Sequence, residues 1–220
     1  MEPDVTPELF AADREPSRVS ESLAPGACVL RAFAAYRCAQ LIADLSAVTA
    51  LTPFRFMRTR GGHRMSVAMS NCGTLGWVSD ERGYRYQASD PESGCRWPMM
   101  PSSFRDLATE AAAMAGFGGF VPDACLISRY EPGARLSLHQ DRDERDLSSP
   151  IGSISLGLPA IFLFGGQRRC DRPLRVPLAH GDAVVWGGPA RLRFHGVLPL
   201  QAGEHPLLGR CRVNLSLRRS

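Results

Sequence analysis

Two histidines and one aspartate are the residues in this sequence whose types and spacing best suit metal chemistry. His139 and Asp141 stand two positions apart, and His195 lies far downstream in a His-Gly-Val run. Alternate side chains of an extended segment project to the same side, so His139 and Asp141 can hold one ion together. Two imidazoles and one carboxylate form the ligand set of non-haem Fe(II) sites that leave one face of the ion open. The pattern therefore predicts an Fe(II) site, with an exposed polar loop around residues 138–144 as the alternative.

Three other histidines compete for the third metal position. His180 precedes Gly-Asp, and His205 precedes proline, so both are typical of turns. His63 follows two glycines in an arginine-rich segment, away from the strand-like part of the chain. His195 ends or interrupts a strand-like run, and this position favours it as the third ligand.

The last strand-like run carries a basic face, because polar and apolar side chains alternate through residues 212–218. The polar face would hold Arg212, Asn214, Ser216 and Arg218, and the apolar face would hold Val213, Leu215 and Leu217. Two guanidinium groups on an inward face need an anionic partner, because unpaired buried charge is unfavourable. A solvated edge strand is the alternative. Together with the metal triad, a bound dicarboxylate is the better explanation.

Length and composition favour one folded domain in a reducing compartment. The chain has 220 residues and a formal net charge of +4, and all 26 basic residues are arginine. Arginine suits phosphate and carboxylate recognition, but so small a net charge does not identify nucleic acid as the partner. No apolar run approaches the ~20 residues of a membrane helix, and the acidic N-terminus lacks the features of a secretory signal. Seven scattered cysteines form no Cys-x-x-Cys pair, so we expect a cytoplasmic protein. We also expect it to be monomeric and to make no membrane contact.

The chain divides by composition into an N-terminal arm and a single domain. Residues 1–24 contain little apolar surface and predict a loosely ordered arm, and residues 25–220 predict the domain. Helices are expected over residues 36–45 and 102–115. Residues 54–100 are rich in glycine, arginine and aromatics and lack the apolar mass for their own core, so they should lie against the main body. Short strands are expected at 27–33, 65–69, 124–130, 152–158, 161–164, 183–186, 192–197 and 212–218. Their spacing suggests a sandwich or jelly roll.

With these motifs, the sequence resembles the AlkB family of Fe(II)/2-oxoglutarate-dependent dioxygenases, and within it the bacterial members that repair alkylated DNA. The resemblance covers residues 25–219 and rests on the order and spacing of many short motifs. They lie at residues 66–73, 75–77, 97–98, 122–126, 129–130, 132–134, 136–141, 155–160, 164–166, 180–182, 185–188, 195–196 and 212–215.

The resemblance implies a mainly β protein with flanking helices, built on a double-stranded β-helix (jelly roll) core. It implies a dioxygenase that uses Fe(II), 2-oxoglutarate and O2, with His139, Asp141 and His195 as iron ligands. The implied cosubstrate contacts are Ser128, Tyr130, Arg212, Asn214 and Arg218. Of these, Arg212 would pair with the distal carboxylate of 2-oxoglutarate. Ser128 departs from the family pattern, which has asparagine in the run Cys-Leu-Ile-Asn-Arg-Tyr.

The resemblance also implies the reaction and the substrate. The reaction is oxidative demethylation of bases such as 1-methyladenine and 3-methylcytosine in DNA, with preference for single strands and release of formaldehyde and succinate. A paired base cannot reach a buried iron, so it must be unpaired or flipped. Residues 54–100 then become a nucleotide-recognition lid. The implied substrate contacts are Met69, Trp77, Tyr84, Asp143 and Arg169, with Thr59 and Tyr86 as weaker candidates.

Other functions remain open from the sequence. The same chemistry could act mainly on methylated RNA, and duplex DNA is a further candidate partner. A binding module that has lost catalysis is disfavoured by the intact triad and by both C-terminal arginines. A cupin-like hydroxylase of small molecules or proteins shares the expected fold, but the aromatic and arginine-rich segment 54–100 disfavours it.

Overall fold

The computed structural model describes residues 20–220 of the chain. In chain order the elements are β1 (Ser20–Ala24), β2 (Ala27–Leu30), α1 (Cys38–Leu51), β3 (Arg55–Arg58), β4 (Arg64–Gly73), β5 (Gly76–Asp80), β6 (Gly83–Gln87), α2 (Ser102–Met114), β7 (Ala124–Tyr130), β8 (Leu136–His139), β9 (Ile151–Gly157), β10 (Ala160–Phe164), β11 (Leu174–Leu178), β12 (Ala183–Trp186), β13 (His195–Val197) and β14 (Arg212–Arg218). Short 3-10 turns occupy Ala35–Arg37 and Gly188–Ala190.

Two sheets face each other and form the body of the protein. The larger has eight strands in the order β1-β2-β12-β9-β14-β7-β4-β3, and the smaller has four in the order β11-β10-β13-β8. A buried apolar cluster lies between them, with Phe162 and Phe164 from the small sheet and Val184 and Trp186 from the large one. Burying two inward sheet faces against each other removes their apolar side chains from water. The jelly-roll core expected from the sequence is confirmed.

The two helices cover the outer face of the large sheet. In α2 the buried residues recur at the spacing of one helix face. They are Phe104, Leu107, Ala108, Ala111 and Ala112. This stripe packs on the apolar side chains of β9, β12 and β14. α2 therefore supports, from behind, the strand that carries the predicted basic face.

The final strand has the two faces that its alternation predicts. Val213, Leu215 and Leu217 point into the core beneath the helices. The four polar residues of β14 line a pocket between the two sheets. All seven residues of the strand are buried, so the alternative of a solvated edge strand is wrong.

Several element boundaries differ from those predicted. Ser20–Ala24, assigned to the loose arm, pairs with β2 as an edge strand, and residues 1–19 lie outside the described part of the chain. The first helix continues to Leu51, six residues past its expected end. Only His195–Val197 of the expected strand 192–197 is extended, because Gly188–Ala190 and the turn after it occupy the preceding residues.

The segment 54–100 is divided between two substructures. β3 and β4 extend the large sheet at its far edge, where β4 pairs with β7. β5 and β6 form a separate two-stranded hairpin. The segment therefore lies against the main body, as expected. Its strands β3 and β4 belong to the large sheet, whereas β5 and β6 pair only with each other. We call Gly76–Gln87 the recognition hairpin, after the role that the resemblance implies for residues 54–100.

All seven cysteines lie within residues 20–220 and have free thiols there. Within the same range, neither helix has the length and apolar character needed to cross a membrane.

Candidate metal centre and its pocket

Two neighbouring strands of the small sheet bring the histidines together. β8 ends at His139 and β13 begins at His195, and these two residues are direct partners in the antiparallel ladder. Their ring centroids lie 4.4 Å apart. Asp141 follows β8 by two residues, and its carboxylate oxygens lie 3.5 Å from Nε2 of each histidine. Within residues 20–220, this is the one group of three potential ligands whose atoms all lie within 4.8 Å of one another.

Backbone carbonyls fix the tautomer of both imidazoles. Nδ1 of His139 lies 2.8 Å from the carbonyl oxygen of Ser137, and Nδ1 of His195 lies 3.1 Å from that of Arg193. A carbonyl can only accept, so each Nδ1 carries the proton. Each neutral ring then presents the Nε2 lone pair toward the carboxylate. This is the arrangement in which metal-binding histidines are usually held.

The charges around Asp141 keep it ionised. Burial alone would raise the pKa of Asp141, but Arg218 and the two histidines outweigh it and hold that pKa well below its ordinary value. Burial also acts to lower the pKa of His139, but the hydrogen bond to Asp141 and the charge of that carboxylate raise it. For His195, burial and then the neighbouring His139 lower the pKa. Metal binding requires neutral imidazoles and an ionised carboxylate, so a bound cation would displace any proton from Nε2 of His139.

Gly196 allows the two ligand strands to approach closely. A Cβ atom added there would lie 2.6 Å from the carbonyl oxygen of Leu136, on the partner strand. Any side chain at Gly196 would push β13 away from β8 and separate the two histidines. The glycine after His195 therefore has a geometric role in the site.

The competing histidines lie outside the ligand group. His180 accepts a hydrogen bond from the backbone N–H of Gly157 at 2.9 Å, and its ring contacts His205 with centroids 4.4 Å apart. His63 is exposed at the rim of the pocket. His180 lies in a turn, as its sequence context predicts. The position of His195 beside His139 and Asp141 agrees with its selection as the third candidate ligand.

Arg212 is a buried cation with unsatisfied donors. It is 1% exposed, and burial lowers its pKa. Nη2 donates to Ser155 Oγ and to Asn214 Oδ1, both at 3.0 Å. Within the described chain, its Nε and Nη1 have no hydrogen-bond partner. Two orphaned donors on a buried guanidinium require an acceptor, and a carboxylate matches their planar geometry.

Of the other predicted cosubstrate residues, Tyr130 and Asn214 contact this guanidinium, and Ser128 lies on the neighbouring strand. The Tyr130 ring lies 5.1 Å from Arg212 Cζ. In the large sheet, Ser128 of β7 lies opposite Asn214 of β14 on one side and opposite Met69 of β4 on the other. The side-chain oxygen of Asn214 also accepts from Ser153 Oγ at 2.9 Å, so it helps to hold Arg212 in place. Arg218 instead donates to Asp141, through Nε at 3.1 Å and through Nη2.

One pocket of about 870 Å³ contains the metal ligands, these cosubstrate candidates and the predicted substrate residues. Trp77 and Tyr84 lie across the recognition hairpin with their rings stacked at 5.6 Å. The indole N–H of Trp77 donates to the Asp143 carboxylate at 2.9 Å. An aromatic pair and an exposed carboxylate therefore border the same opening that leads to the metal ligands.

The remaining candidates also line this pocket. Met69 is buried in its wall, and Thr59 lies at the rim. Arg169 is exposed at the rim, with its guanidinium 6.0 Å from the Phe194 ring. Tyr86 is turned inward and donates from its hydroxyl to Glu144 at 2.9 Å.

Sequence reasoning missed two residues of the site, Glu144 and Arg191. They form a buried ion pair at 3.1 Å, with side-chain exposures of 2% and 3%. Arg191 also donates to the backbone carbonyl of Asp141 at 2.6 Å. Glu144 stands in a run of alternating charges, Asp-Arg-Asp-Glu-Arg-Asp, which is typical of an exposed loop. The one available signal is its position three residues after a metal ligand.

The residues present fit a non-haem iron and an oxo-dicarboxylate cosubstrate. Two Nε2 lone pairs and one ionised carboxylate converge as a three-ligand set. The orphaned donors of Arg212 supply a second, anion-binding point in the same pocket. A molecule with a carboxylate at one end and metal-binding oxygens at the other would use both.

Comparison with known proteins agrees with this arrangement. The family model of the 2OG-Fe(II) oxygenase superfamily matches residues 26–218. The chain is 55% identical over 213 residues to an alpha-ketoglutarate-dependent dioxygenase AlkB of Escherichia coli K12, covering 97% of each protein. It is 29% identical over 157 residues to a tRNA demethylase, abh1, of Schizosaccharomyces pombe, covering 66% of this chain and 52% of that protein. The solved structure of OsALKBH1 superposes with a TM-score of 0.80 at 27% identity, covering 92% of this chain and 100% of that one.

Proposed function

The chain belongs to the 2OG-Fe(II) oxygenase superfamily and, within it, to the AlkB family of dioxygenases, and from this membership we propose that it removes alkyl groups from N-alkylated nucleobases. The enzyme is an Fe(II)/2-oxoglutarate-dependent dioxygenase that uses O2. The proposed substrates are bases such as 1-methyladenine and 3-methylcytosine in DNA, preferentially in single strands. The proposed products are the restored base, formaldehyde and succinate.

One observation carries this proposal. A single pocket joins the His139, Asp141 and His195 group to the stacked Trp77 and Tyr84 rings of the recognition hairpin. Aromatic rings bind unpaired bases by stacking, and each such stack contributes on the order of 1–3 kcal/mol. Asp143 adds a negative charge at the same opening, and 1-methyladenine and 3-methylcytosine are cationic. The pocket thus combines an oxidising centre with a surface suited to a flipped, positively charged base.

Separate groups of residues in the pocket would bind the iron and the cosubstrate. His139, Asp141 and His195 hold the iron, and the Ser137 and Arg193 carbonyls keep the protons on Nδ1 of the two rings. Arg212 receives the distal carboxylate of 2-oxoglutarate on its free Nε and Nη1 atoms. Tyr130 and Ser128 line the cosubstrate part of the pocket, and Asn214 keeps the guanidinium oriented. When bound, Fe(II) and 2-oxoglutarate supply the chemistry that uses O2 to hydroxylate the N-alkyl carbon.

The substrate side of the pocket would orient the base. Trp77 stacks on it opposite His139, and Tyr84 extends the aromatic surface. Asp143 faces the exocyclic amine and the positive charge of the base. Arg169 is exposed at the rim, where a guanidinium suits a phosphate of the strand. Met69 closes the wall of the pocket and excludes water.

The same chemistry on methylated RNA is a second candidate. The pocket would bind the base, and contacts to the base alone do not distinguish DNA from RNA. The similarity to a protein named as a tRNA demethylase favours this alternative. Competition between matched DNA and RNA oligomers would rank the two.

The deciding experiment is formaldehyde release from a single-stranded DNA oligomer containing 3-methylcytosine, with Fe(II), ascorbate and 2-oxoglutarate. We expect release that requires all three additions and disappears in His139→Ala. Slow 2-oxoglutarate consumption without formaldehyde would contradict the DNA proposal, and the matched RNA oligomer would then be tested.

A further inference from the structure

Glu144 is a buried carboxylate that accepts two hydrogen bonds and forms an ion pair with a third part of the fold. It is 7% exposed. Tyr86 Oη donates to it at 2.9 Å from the recognition hairpin, and Arg191 Nη2 donates at 3.1 Å from the turn before β13. Arg218 Nε lies 3.2 Å from it on β14. A carboxylate can accept both hydrogen bonds and neutralise both guanidinium groups, and a neutral side chain of the same size cannot.

Both arginines held by Glu144 also hold the metal-ligand candidate Asp141. Arg218 donates to Asp141 Oδ2 through Nε and Nη2. Arg191 donates through Nη1 to the backbone carbonyl of Asp141 at 2.6 Å, and its Nε donates to the carbonyl of Ser149 at 3.0 Å. Asp141 is therefore restrained at its carboxylate by one guanidinium and at its backbone by another. Glu144 is the shared anchor of the two.

The four charged groups balance. Asp141 and Glu144 contribute two negative charges, and Arg191 and Arg218 contribute two positive ones. Removing the charge of Glu144 would leave two guanidinium groups facing one carboxylate. Arg191 and Arg218 would each lose an anionic partner and compete for Asp141, whose carboxylate would turn away from the histidines.

We propose that Glu144 is a positioning residue for the metal site, acting on Asp141 through Arg191 and Arg218, and that it also anchors the recognition hairpin through the Tyr86 hydroxyl. Partners behind the ligands of a metal site commonly contribute a factor of about 10–100 to metal affinity or activity. The role concerns the metal centre and is independent of the nucleic acid that the enzyme accepts.

The test is an equilibrium titration of the metal-free protein with Mn²⁺, following the free ion by its paramagnetic resonance signal. In Glu144→Gln the amide has the same shape but one acceptor oxygen, and its NH2 group faces donors. We expect the dissociation constant for Mn²⁺ to rise about tenfold. An unchanged constant in the folded variant overturns the proposal.

Asp182→Asn is the matched control for the loss of a buried carboxylate. Asp182 is 3% exposed, and it holds Arg31 at 2.8 Å and the backbone N–H of Ala32 at 2.8 Å. It lies outside the pocket that contains the metal ligands. We expect Asp182→Asn to lower the thermal stability while leaving Mn²⁺ affinity unchanged. An equal loss of Mn²⁺ affinity in both variants would reduce Glu144 to a structural residue and overturn the proposal.

Tyr86→Phe separates the two parts of the role. It removes the hairpin donor and leaves both arginine contacts, so Mn²⁺ affinity should stay within about twofold of wild type while the amides of β5 and β6 exchange hydrogen faster. Unchanged exchange in this variant would contradict the anchoring of the hairpin. If Glu144→Gln does not fold, Glu144→Asp replaces it; this variant keeps the charge but falls short of the arginines, and unchanged Mn²⁺ affinity would again overturn the proposal.

None of these measurements involves nucleic acid or turnover. Their failure would leave the dealkylation proposal intact, and failure of the formaldehyde assay would leave the role of Glu144 intact.

Discussion

Asp143 differs from its acidic neighbours in what it contacts. It is exposed and accepts the indole N–H of Trp77. Asp146, three residues later, accepts instead from the N–H and the hydroxyl of Ser148 and from the hydroxyl of Ser149 within its own turn. These local hydrogen bonds lower the pKa of Asp146 to about 2. Asp143 faces the pocket, whereas Asp146 stabilises a loop.

Asp143→Ala should impair turnover of cationic bases far more than 2-oxoglutarate binding. A hydrogen bond to a charged group contributes about 1.5–3 kcal/mol, so kcat/KM for 3-methylcytosine should fall by roughly one to two orders of magnitude. The measurement compares that kcat/KM with the dissociation constant of 2-oxoglutarate. Asp146→Ala is the control, with turnover near wild type. Equal losses of turnover and of 2-oxoglutarate affinity in Asp143→Ala would refute the assigned role.

Ser128 lines the pocket on β7, beside the proposed cosubstrate site. Its pairing with Asn214 puts it next to the strand that carries Arg212. An asparagine at this position would add an amide donor, and one further hydrogen bond contributes about 0.5–1.5 kcal/mol.

Ser128→Asn should therefore lower the apparent KM for 2-oxoglutarate, by roughly two- to tenfold. Steady-state kinetics with varied 2-oxoglutarate would measure it, with KM for the oligomer as the internal control. An unchanged or higher KM for 2-oxoglutarate would mean that neighbouring residues already compensate for the serine.

At the level of elements, a histidine pair ties the turn before β12 to the end of β9. His180 accepts from the backbone N–H of Gly157, and its ring contacts His205. Burial and then the nearby His205 lower the pKa of His180 below its ordinary value. A proton on Nδ1 of His180 would break the hydrogen bond to Gly157.

This pair should make the folded protein sensitive to mild acid. The folded state binds a proton at His180 less readily than the unfolded state, whose histidine pKa is about 6.5. The stability contributed by neutral His180 is therefore fully present above about pH 6.5. It is lost as the pH falls through the lower pKa that His180 has in the folded state. Thermal unfolding at about pH 7.5 and 5.5 should show a smaller drop in Tm for His180→Gln than for wild type. Equal drops would exclude His180 as the source.

On the scale of the whole molecule, the metal site connects parts of the chain that are far apart in sequence. His139 and Asp141 lie at and just after the end of β8, and His195 begins β13, with β9 to β12 between them in the chain. Arg218 from the large sheet restrains Asp141. An ion bound at this point would hold β8, β13 and β14 together. Unfolding would separate them and release it.

Metal binding should accordingly stabilise the fold. A ligand that binds only the folded state adds about 2.7 kcal/mol at a concentration of 100 times its dissociation constant. Mn²⁺ should raise Tm of the metal-free protein in a concentration-dependent way, and chelation should reverse it. His139→Ala should lose this response while keeping its own Tm in the absence of metal close to wild type. A full response in His139→Ala would mean that the ion binds elsewhere.

Predictions from the sequence succeeded where the pattern was local and regular. β7 and β14 have the expected boundaries because each is a buried central strand with a continuous apolar run or clean alternation. Edge and hairpin strands were missed. β1 is polar and half-exposed, and β11 contains Pro177 at the edge of the small sheet, where a missing N–H is tolerated. Such strands form because a neighbour supplies hydrogen bonds, and no local signal marks them.

The sequence alone determined the donor chemistry of the site: two imidazoles and a carboxylate, and a strand with arginines on one face. Those properties follow from residue type and from the two-residue period of a strand. The tertiary structure decided which of these groups act together. It buried Glu144 from a run of charges that is typical of a surface loop, and it brought Trp77 to Asp143, 66 residues away. It also paired Arg218 with Asp141 and, among the described residues, left Nε and Nη1 of Arg212 without a hydrogen-bond partner. Side-chain partners of this kind depend on which strands become neighbours, and long-range packing alone sets that order.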